Sequence, residues 1–288
     1  MTKGIVLAGG TGTRLYPTTK IINKHILPVY DKPMIYYSLS VLMLAGIRDI
    51  LIISSKQNLK SFKSLLGNGS KLGVSIKYQI QNKAVGIPDA FRISKGFIKK
   101  ERVALILGDN IFYGQGFIEL LKKANESDKN ICFGYTVKNP SEYGIIEFDK
   151  NNKIHSLKEK PKQSKHFTAV TGLYFFNCDV IEHSKKLRPS RRSELEIVDI
   201  LNIYRKKKTL EVFTLGRGFA WLDAGTHETL LDASLFVKTV EQRQGLKIAC
   251  LEEISFLNKW INKKQLVNLI KNNESLSYKT YLKQLLKD

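Results

Sequence analysis

Short apolar runs alternate with helix-length segments through the first 110 residues. Gly4-Ile5-Val6-Leu7-Ala8, Asp49-Ile50-Leu51-Ile52-Ile53 and Val103-Ala104-Leu105-Ile106-Leu107 are brief and rich in β-branched residues, the pattern of strands buried on both faces of a parallel sheet. Segments at about 34–45 and 89–97 read as helices, and Gly46 supplies the residue that commonly ends one. This alternation predicts an α/β fold with a doubly wound sheet. From Tyr143 to Phe176 the pattern changes to short alternating strands around Asp149-Lys150-Asn151-Asn152, whose Asn pair suits a hairpin turn. Ser193 followed by Glu196 reads as a capping-box start for a helix through Leu201 to Arg205, and Thr226 opens another that Gly245 closes. Beyond about residue 245, Leu266, Leu269 and Ile270 fall at helical spacing in a lysine-rich segment. The expected organisation is a main domain over 1–245, divided near 110, and a small helical part over 246–288.

The first strand runs into Gly9-Gly10-Thr11-Gly12-Thr13-Arg14, followed by Lys24 and by Lys32-Pro33. In open α/β sheets, ligands bind beyond such strand ends. Gly9, Gly10 and Gly12 permit positive φ and close approach, so that backbone N–H groups can converge on phosphate oxygens. Two familiar phosphate loops fail on the letters. A dinucleotide-type G-x-G-x-x-G from Gly10 would need glycine where Leu15 stands, and the Gly-Lys-Ser/Thr of a P-loop is absent.

With Arg14, Pro17, Lys24, Leu27-Pro28 and Lys32-Pro33 in order, the chain resembles the sugar-phosphate nucleotidyltransferases, whose pattern is G-G-x-G-T-R-L-x-P-x-T, then K-x-x-L-P-V and K-P. Within that family it is most similar to members that join dTTP to glucose 1-phosphate. That likeness continues through YDKPMIYY, LMLAGIRDILII, LGDNIFYG, EKP, TGLYFF, ELEIVDI and WLDAGTHETL. The resemblance implies a Rossmann-like mixed sheet with a nucleotide-binding part over about 1–110 and inserted sugar-binding strands over about 111–245. It further implies a C-terminal helical part that serves subunit contact and regulation. The implied setting is a homotetramer supplying dTDP-sugars, as for a dTDP-rhamnose or O-antigen route, with a regulatory dTDP-sugar site.

Composition narrows the alternatives. Forty-three per cent hydrophobic residues argue against a disordered chain. No apolar run approaches membrane-spanning length and no leader pattern is visible, so a cytoplasmic location is expected. Cys132, Cys178 and Cys250 are scattered without metal-ligand spacing, as are the five histidines, which speaks for reduced thiols and against a zinc site. A net charge of +21 raises a nucleic-acid role, but the charge is mostly lysine spread over apparent helix surfaces. It is expected to draw in anionic substrates rather than to read a sequence.

Joining two phosphates requires cancelling their repulsion. Arg14, with a planar fork of donors, suits a triphosphate and the departing pyrophosphate; Lys24, a compact charge, suits the α-phosphate in the transition state. Mg²⁺ prefers oxygen ligands, typically one or two carboxylates with phosphate and water. Asp109 and Asp223 both follow apolar strands and match the family's metal-binding aspartates. An incoming sugar phosphate is already anionic, so no activated Ser, Cys or His is needed. His25 is expected in a ligand wall or the packing. The resemblance assigns the nucleotide to Leu7, Gly9, Gly10, Gly12, Thr13, Arg14, Gln81, Gly86 and Asp109. It assigns the sugar phosphate to Tyr143, Gly144, Glu159, Lys160, Thr171 and Gly172; Trp221 is either a sugar contact or core.

Base recognition departs from the family pattern. The usual Asp-Gly-Leu-Ala-Gln-Ala is replaced by Val85-Gly86-Ile87-Pro88-Asp89-Ala90, and Asn23 and His25 flank Lys24 where Ser and Gln are common. Gln81 can still pair with the imide edge of thymine or uracil, so UTP stands beside dTTP as a substrate. A uridylyl- or other nucleotidyltransferase, a non-catalytic nucleotide-sugar sensor and a basic nucleic-acid binder are the competing readings.

Overall fold

The computed structural model describes residues 1–287. A nine-stranded mixed sheet organises the chain. Its parallel half places Arg102–Leu107, Thr2–Leu7, Asp49–Ser54 and Ser75–Ile80 side by side. The chain builds outward from Thr2–Leu7 to Ser75–Ile80, then returns to lay Arg102–Leu107 on the other flank of Thr2–Leu7. That reversal leaves a crevice beyond the strand ends, where Leu7 and Leu107 stand in register. Gly108 N–H donates to the Leu7 carbonyl at 2.9 Å and ties the crevice floor together.

The other half of the sheet is largely antiparallel. Thr168–Phe176 pairs with Arg102–Leu107, Gly144–Phe148 and Asn130–Thr136, and Ile154–Glu159 continues the edge beyond Gly144–Phe148. Leu210–Leu215 extends the sheet in parallel with Asn130–Thr136. One sheet therefore spans both predicted parts of the main domain. The hairpin falls where the Asn pair predicts it: Asn152 takes φ 58, and Asp149 Oδ1 accepts from the N–H groups of Asn151 and Lys153 at 2.9 and 2.8 Å.

Alternation along the strands divides the core between the faces of the sheet. Val6, Ile52, Ala104 and Ile106 pack with the helix Met34–Leu44, while Ile5, Leu51, Ile53, Val103 and Leu105 meet Phe91, Val180 and Leu201 on the other face. The helix His227–Gln244 is closed as expected, by a reciprocal Thr226–Thr229 cap and by Gly245 at φ 70. The C-terminal helices bury Leu266, Ile270, Tyr278 and Leu282 in a small core of their own.

Two elements differ from the sequence reading. The 89–97 helix is two pieces, Asp89–Ile93 and Lys95–Ile98, divided at Ser94, whose hydroxyl donates back to the Ala90 carbonyl. Ser193 is not a helix cap. It lies at φ 60 in a loop, and the helix Ile197–Lys206 begins after Glu196, because Leu195 N–H is held by the Val85 carbonyl at 2.8 Å and fixes the loop across the crevice.

Candidate active site

Two cavities open side by side at the strand ends. The smaller, of about 220 Å³, is lined by Leu7, Gly10, Lys24, His25, Gln81 and Ala84. The larger, of about 450 Å³, is lined by Arg14, Tyr143, Gly144, Glu159, Lys160, Thr171, Gly172, Trp221 and Asp223. Gly86, Ile87, Leu107, Asp109 and Glu194 belong to both walls, so the two spaces adjoin. Of the loop residues predicted for a nucleotide, Gly9, Gly12 and Thr13 are not among the residues that line these cavities.

The glycine loop works differently from its sequence reading. Only Gly12 uses positive φ, at 65. Gly9 and Gly10 instead allow close approach: a Cβ at Gly9 would meet Gln81 Oε1 at 2.4 Å, and one at Gly10 would meet Lys24 Cε at 3.5 Å. Arg14 lies against Gly225, where a Cβ would come within 2.8 Å of its guanidinium. The chain after Asp223 is thereby bare enough for the cation to reach the larger cavity.

Lys24 and Asp109 form a salt bridge with side chains 13% and 14% exposed. Burial would raise the Asp109 carboxyl, but the Lys24 charge, helped by hydrogen bonds from Lys24 and Asn110, outweighs it and holds it well below the usual carboxylate range. Asp223 is pushed the other way, first by burial and then by the Asp109 charge, with Arg14 opposing. The Tyr143 hydroxyl donates to Asp223 Oδ1 at 3.4 Å. Two partly buried carboxylates that repel one another, facing a common cavity, fit a divalent cation. Among the described residues no group of three or more His, Cys, Asp or Glu stands together in a metal-binding arrangement. A cation at this pair would complete its shell with ligand and water oxygens, as Mg²⁺ commonly does.

His25 is buried and lowered to about 3, first by burial and then by the Lys24 charge. Its ring is therefore neutral. Asn23 Oδ1 accepts from the His25 backbone N–H at 2.9 Å and from Nδ1 at 2.8 Å, which places the proton on Nδ1 and leaves Nε2 as an acceptor. Trp221 belongs to the core and also lines the larger cavity: it is 9% exposed and its indole N–H donates to Asn110 Oδ1 at 2.7 Å.

Glu159 joins a cluster that the sequence reading missed. Arg192 reaches Glu159 at 3.0 Å, Glu194 at 3.4 Å and Glu196 at 3.6 Å. Burial first, and Glu196 second, raise the Glu159 carboxyl against the pull of Arg192. The sequence signal for this cluster is an arginine two and four residues before glutamates, Arg192, Glu194 and Glu196, which overlaps the apparent cap at Ser193. Lys32 of the family pattern, by contrast, is not at the cavities. It is 3% exposed and pairs with Asp31 and Glu241, and Lys247 pairs with the same two carboxylates.

The chain belongs to the nucleotidyl transferase family, whose model matches residues 3–240. It is 52% identical over 286 residues to the glucose-1-phosphate thymidylyltransferase of Neisseria meningitidis, covering 99% of each chain. It is 48% identical over 284 residues to the enzyme of that name from Mycobacterium tuberculosis, again covering 99% of each. Among solved structures, a Bacillus anthracis protein proposed to be a glucose-1-phosphate thymidylyltransferase, crystallised with sucrose, superposes with TM-score 0.75 at 40% identity, over 82% of this chain and 95% of that one. A UDP-glucose pyrophosphorylase complexed with UDP-glucose shares the fold, with TM-score 0.73 at 24% identity, over 83% of this chain and all of that one.

Proposed function

We propose that this chain is a glucose-1-phosphate thymidylyltransferase, forming dTDP-glucose and pyrophosphate from dTTP and glucose 1-phosphate. The observation that carries the reading is the meeting of the two cavities at Asp109 beside Lys24. The smaller space takes the base and the larger the sugar. The two phosphates then face each other at the shared wall.

A phosphate oxygen of the sugar phosphate attacks the α-phosphorus of dTTP in line, and the bond to the departing pyrophosphate breaks. No proton need move at the attacking oxygen, so the site works by positioning and charge. Lys24 stabilises the charge growing on the α-phosphate, and Arg14 holds the triphosphate and the pyrophosphate as it leaves. Glu159 accepts hydrogen bonds from sugar hydroxyls, and Lys160 contacts the sugar's phosphate. The backbones at Tyr143-Gly144 and Thr171-Gly172 complete that pocket beside Trp221. Asp109 and Asp223 would hold Mg²⁺, which when bound supplies charge neutralisation at the phosphates.

Gln81 faces the base. A single thymine methyl discriminates by only about 1–3 kcal/mol, so dTTP is preferred over UTP by roughly a hundredfold at most. No described helix is long and apolar enough to cross a membrane, in keeping with a cytoplasmic role. A third cavity of about 420 Å³, between Phe112–Phe117 and Cys250–Asn258, is where we place the regulatory dTDP-sugar site of a homotetramer. Pyrophosphate release across nucleoside triphosphates and sugar 1-phosphates tests the substrate reading. The dTTP and glucose 1-phosphate pair is expected to be fastest, and preference for CTP or GTP would refute it.

A further inference from the structure

Gln81 Nε2 donates to Asp89 Oδ2 at 3.1 Å. Gln81 is 6% exposed, its backbone N–H is held by the Ser54 carbonyl at 2.8 Å, and it lines the smaller cavity. An ionised carboxylate only accepts hydrogen bonds, so the amide must turn its nitrogen toward Asp89. Its Oε1 is then directed over Gly9, at 2.4 Å from where a Cβ would stand. Among the described residues no donor pairs with Oε1, and it is not a sealed, unpartnered atom. It remains free to accept from a ligand. Asp89 itself is anchored: Pro88 precedes it, it opens the helix Asp89–Ile93, and its N–H reaches the Gly86 carbonyl at 3.4 Å.

We infer that Asp89 is a specificity-positioning residue, which locks the Gln81 amide in the one orientation that suits an imide base and opposes cytosine. The inference rests on the nucleotide reading given above. With one N–H committed to Asp89, the amide presents Oε1 and its second N–H to the cavity. Thymine and uracil offer the complement, an N3–H donor beside an O4 acceptor. Cytosine offers the reverse, an N3 acceptor beside an amino donor, and would require the amide to flip. A flipped Gln81 would set its oxygen against the Asp89 carboxylate, two acceptors with no proton between them. Asp89 therefore acts on base choice without touching the base.

The test compares kcat/KM for dTTP and dCTP, which share the deoxyribose and triphosphate, each with glucose 1-phosphate. Asp89→Asn keeps the shape but can itself flip to match either amide orientation. It is expected to lower the dTTP to dCTP ratio by about tenfold or more, mainly through better use of dCTP, the size of effect expected when an unpaired polar group is relieved. Asp89→Glu, which restores an obligate acceptor, is expected to recover most of the ratio. Asp89→Ser serves in place of the asparagine variant if that fails to fold, with the same expectation. An unchanged ratio in a folded variant, or an equal fall in both rates, overturns the positioning role. A wild-type protein that consumes no dTTP refutes the nucleotide reading itself, and this is seen before any variant is compared.

Discussion

Lys24 and Asp109, 85 positions apart in sequence, form an ion pair at the boundary of the two cavities. The proposed transfer uses both members, so this contact belongs to the free protein and is expected to rearrange when phosphates arrive. Lys24→Ala should lower kcat by a hundredfold or more, on the order of 3 kcal/mol of lost transition-state stabilisation. Arg14→Ala should damage nucleotide KM and kcat together. Single-turnover and steady-state kinetics separate the two, and a Lys24 variant altered only in KM contradicts its assignment.

The aspartates make a second prediction. Asp109→Asn and Asp223→Asn should each fold yet lose about a hundredfold or more in turnover, as expected when a group that supports metal catalysis is lost. Titration with Mg²⁺ should show a higher half-saturating concentration in both variants. Wild-type turnover for either variant, at saturating Mg²⁺, removes that residue from the metal site.

Glu159 faces the larger cavity, where the sugar is placed. Glu159→Gln keeps the shape but loses the charge that Arg192 pairs with at 3.0 Å. The KM for glucose 1-phosphate should rise several-fold, by about tenfold at most, with a smaller effect on that for dTTP. Equal effects on the two substrates would place Glu159 outside the sugar pocket.

The buried network around Lys32 predicts stability rather than rate. Lys32→Met leaves Asp31 and Glu241 with only Lys247 and should cost about 3–5 kcal/mol, the range for breaking a buried pair. Burial pushes the Asp31 carboxyl up, but hydrogen bonds from Lys247 and Lys32 outweigh this and lower it overall. A carboxyl lowered by folding adds stability above its unfolded value, and that stability is lost as pH falls through the folded one. Melting curves of Asp31→Asn should therefore fall less steeply than wild type below about pH 4. Parallel curves would show that the pairing does not contribute.

Much of the fold was legible because its strands are short, apolar and punctuated. Gly4–Ala8 and Val103–Leu107 could be placed from letters alone, and Thr226 and Gly245 bound their helix where the sequence reading put them. Arg14, Lys24, Asp109 and Asp223, each taken from a compact motif, all come to line the two adjoining cavities. Local patterns misled where a distant contact decides the conformation. Ser193 and Glu196 have the spacing of a cap, yet the tie from Leu195 to Val85 bends that segment into the cavity wall. The Gln81–Asp89 bond depends on how the loop closes after the strand Ser75–Ile80, which no spacing rule encodes.

Direct transfer requires the two adjoining cavities to hold dTTP and glucose 1-phosphate at the same time. Incubating the protein with both substrates and Mg²⁺, and following the phosphorus-containing species by NMR, tests it most directly. Direct transfer should give dTDP-glucose and pyrophosphate in equal amounts, with neither formed when glucose 1-phosphate is left out. Release of dTMP or dTDP without a sugar nucleotide, or no reaction from a folded protein, would contradict it.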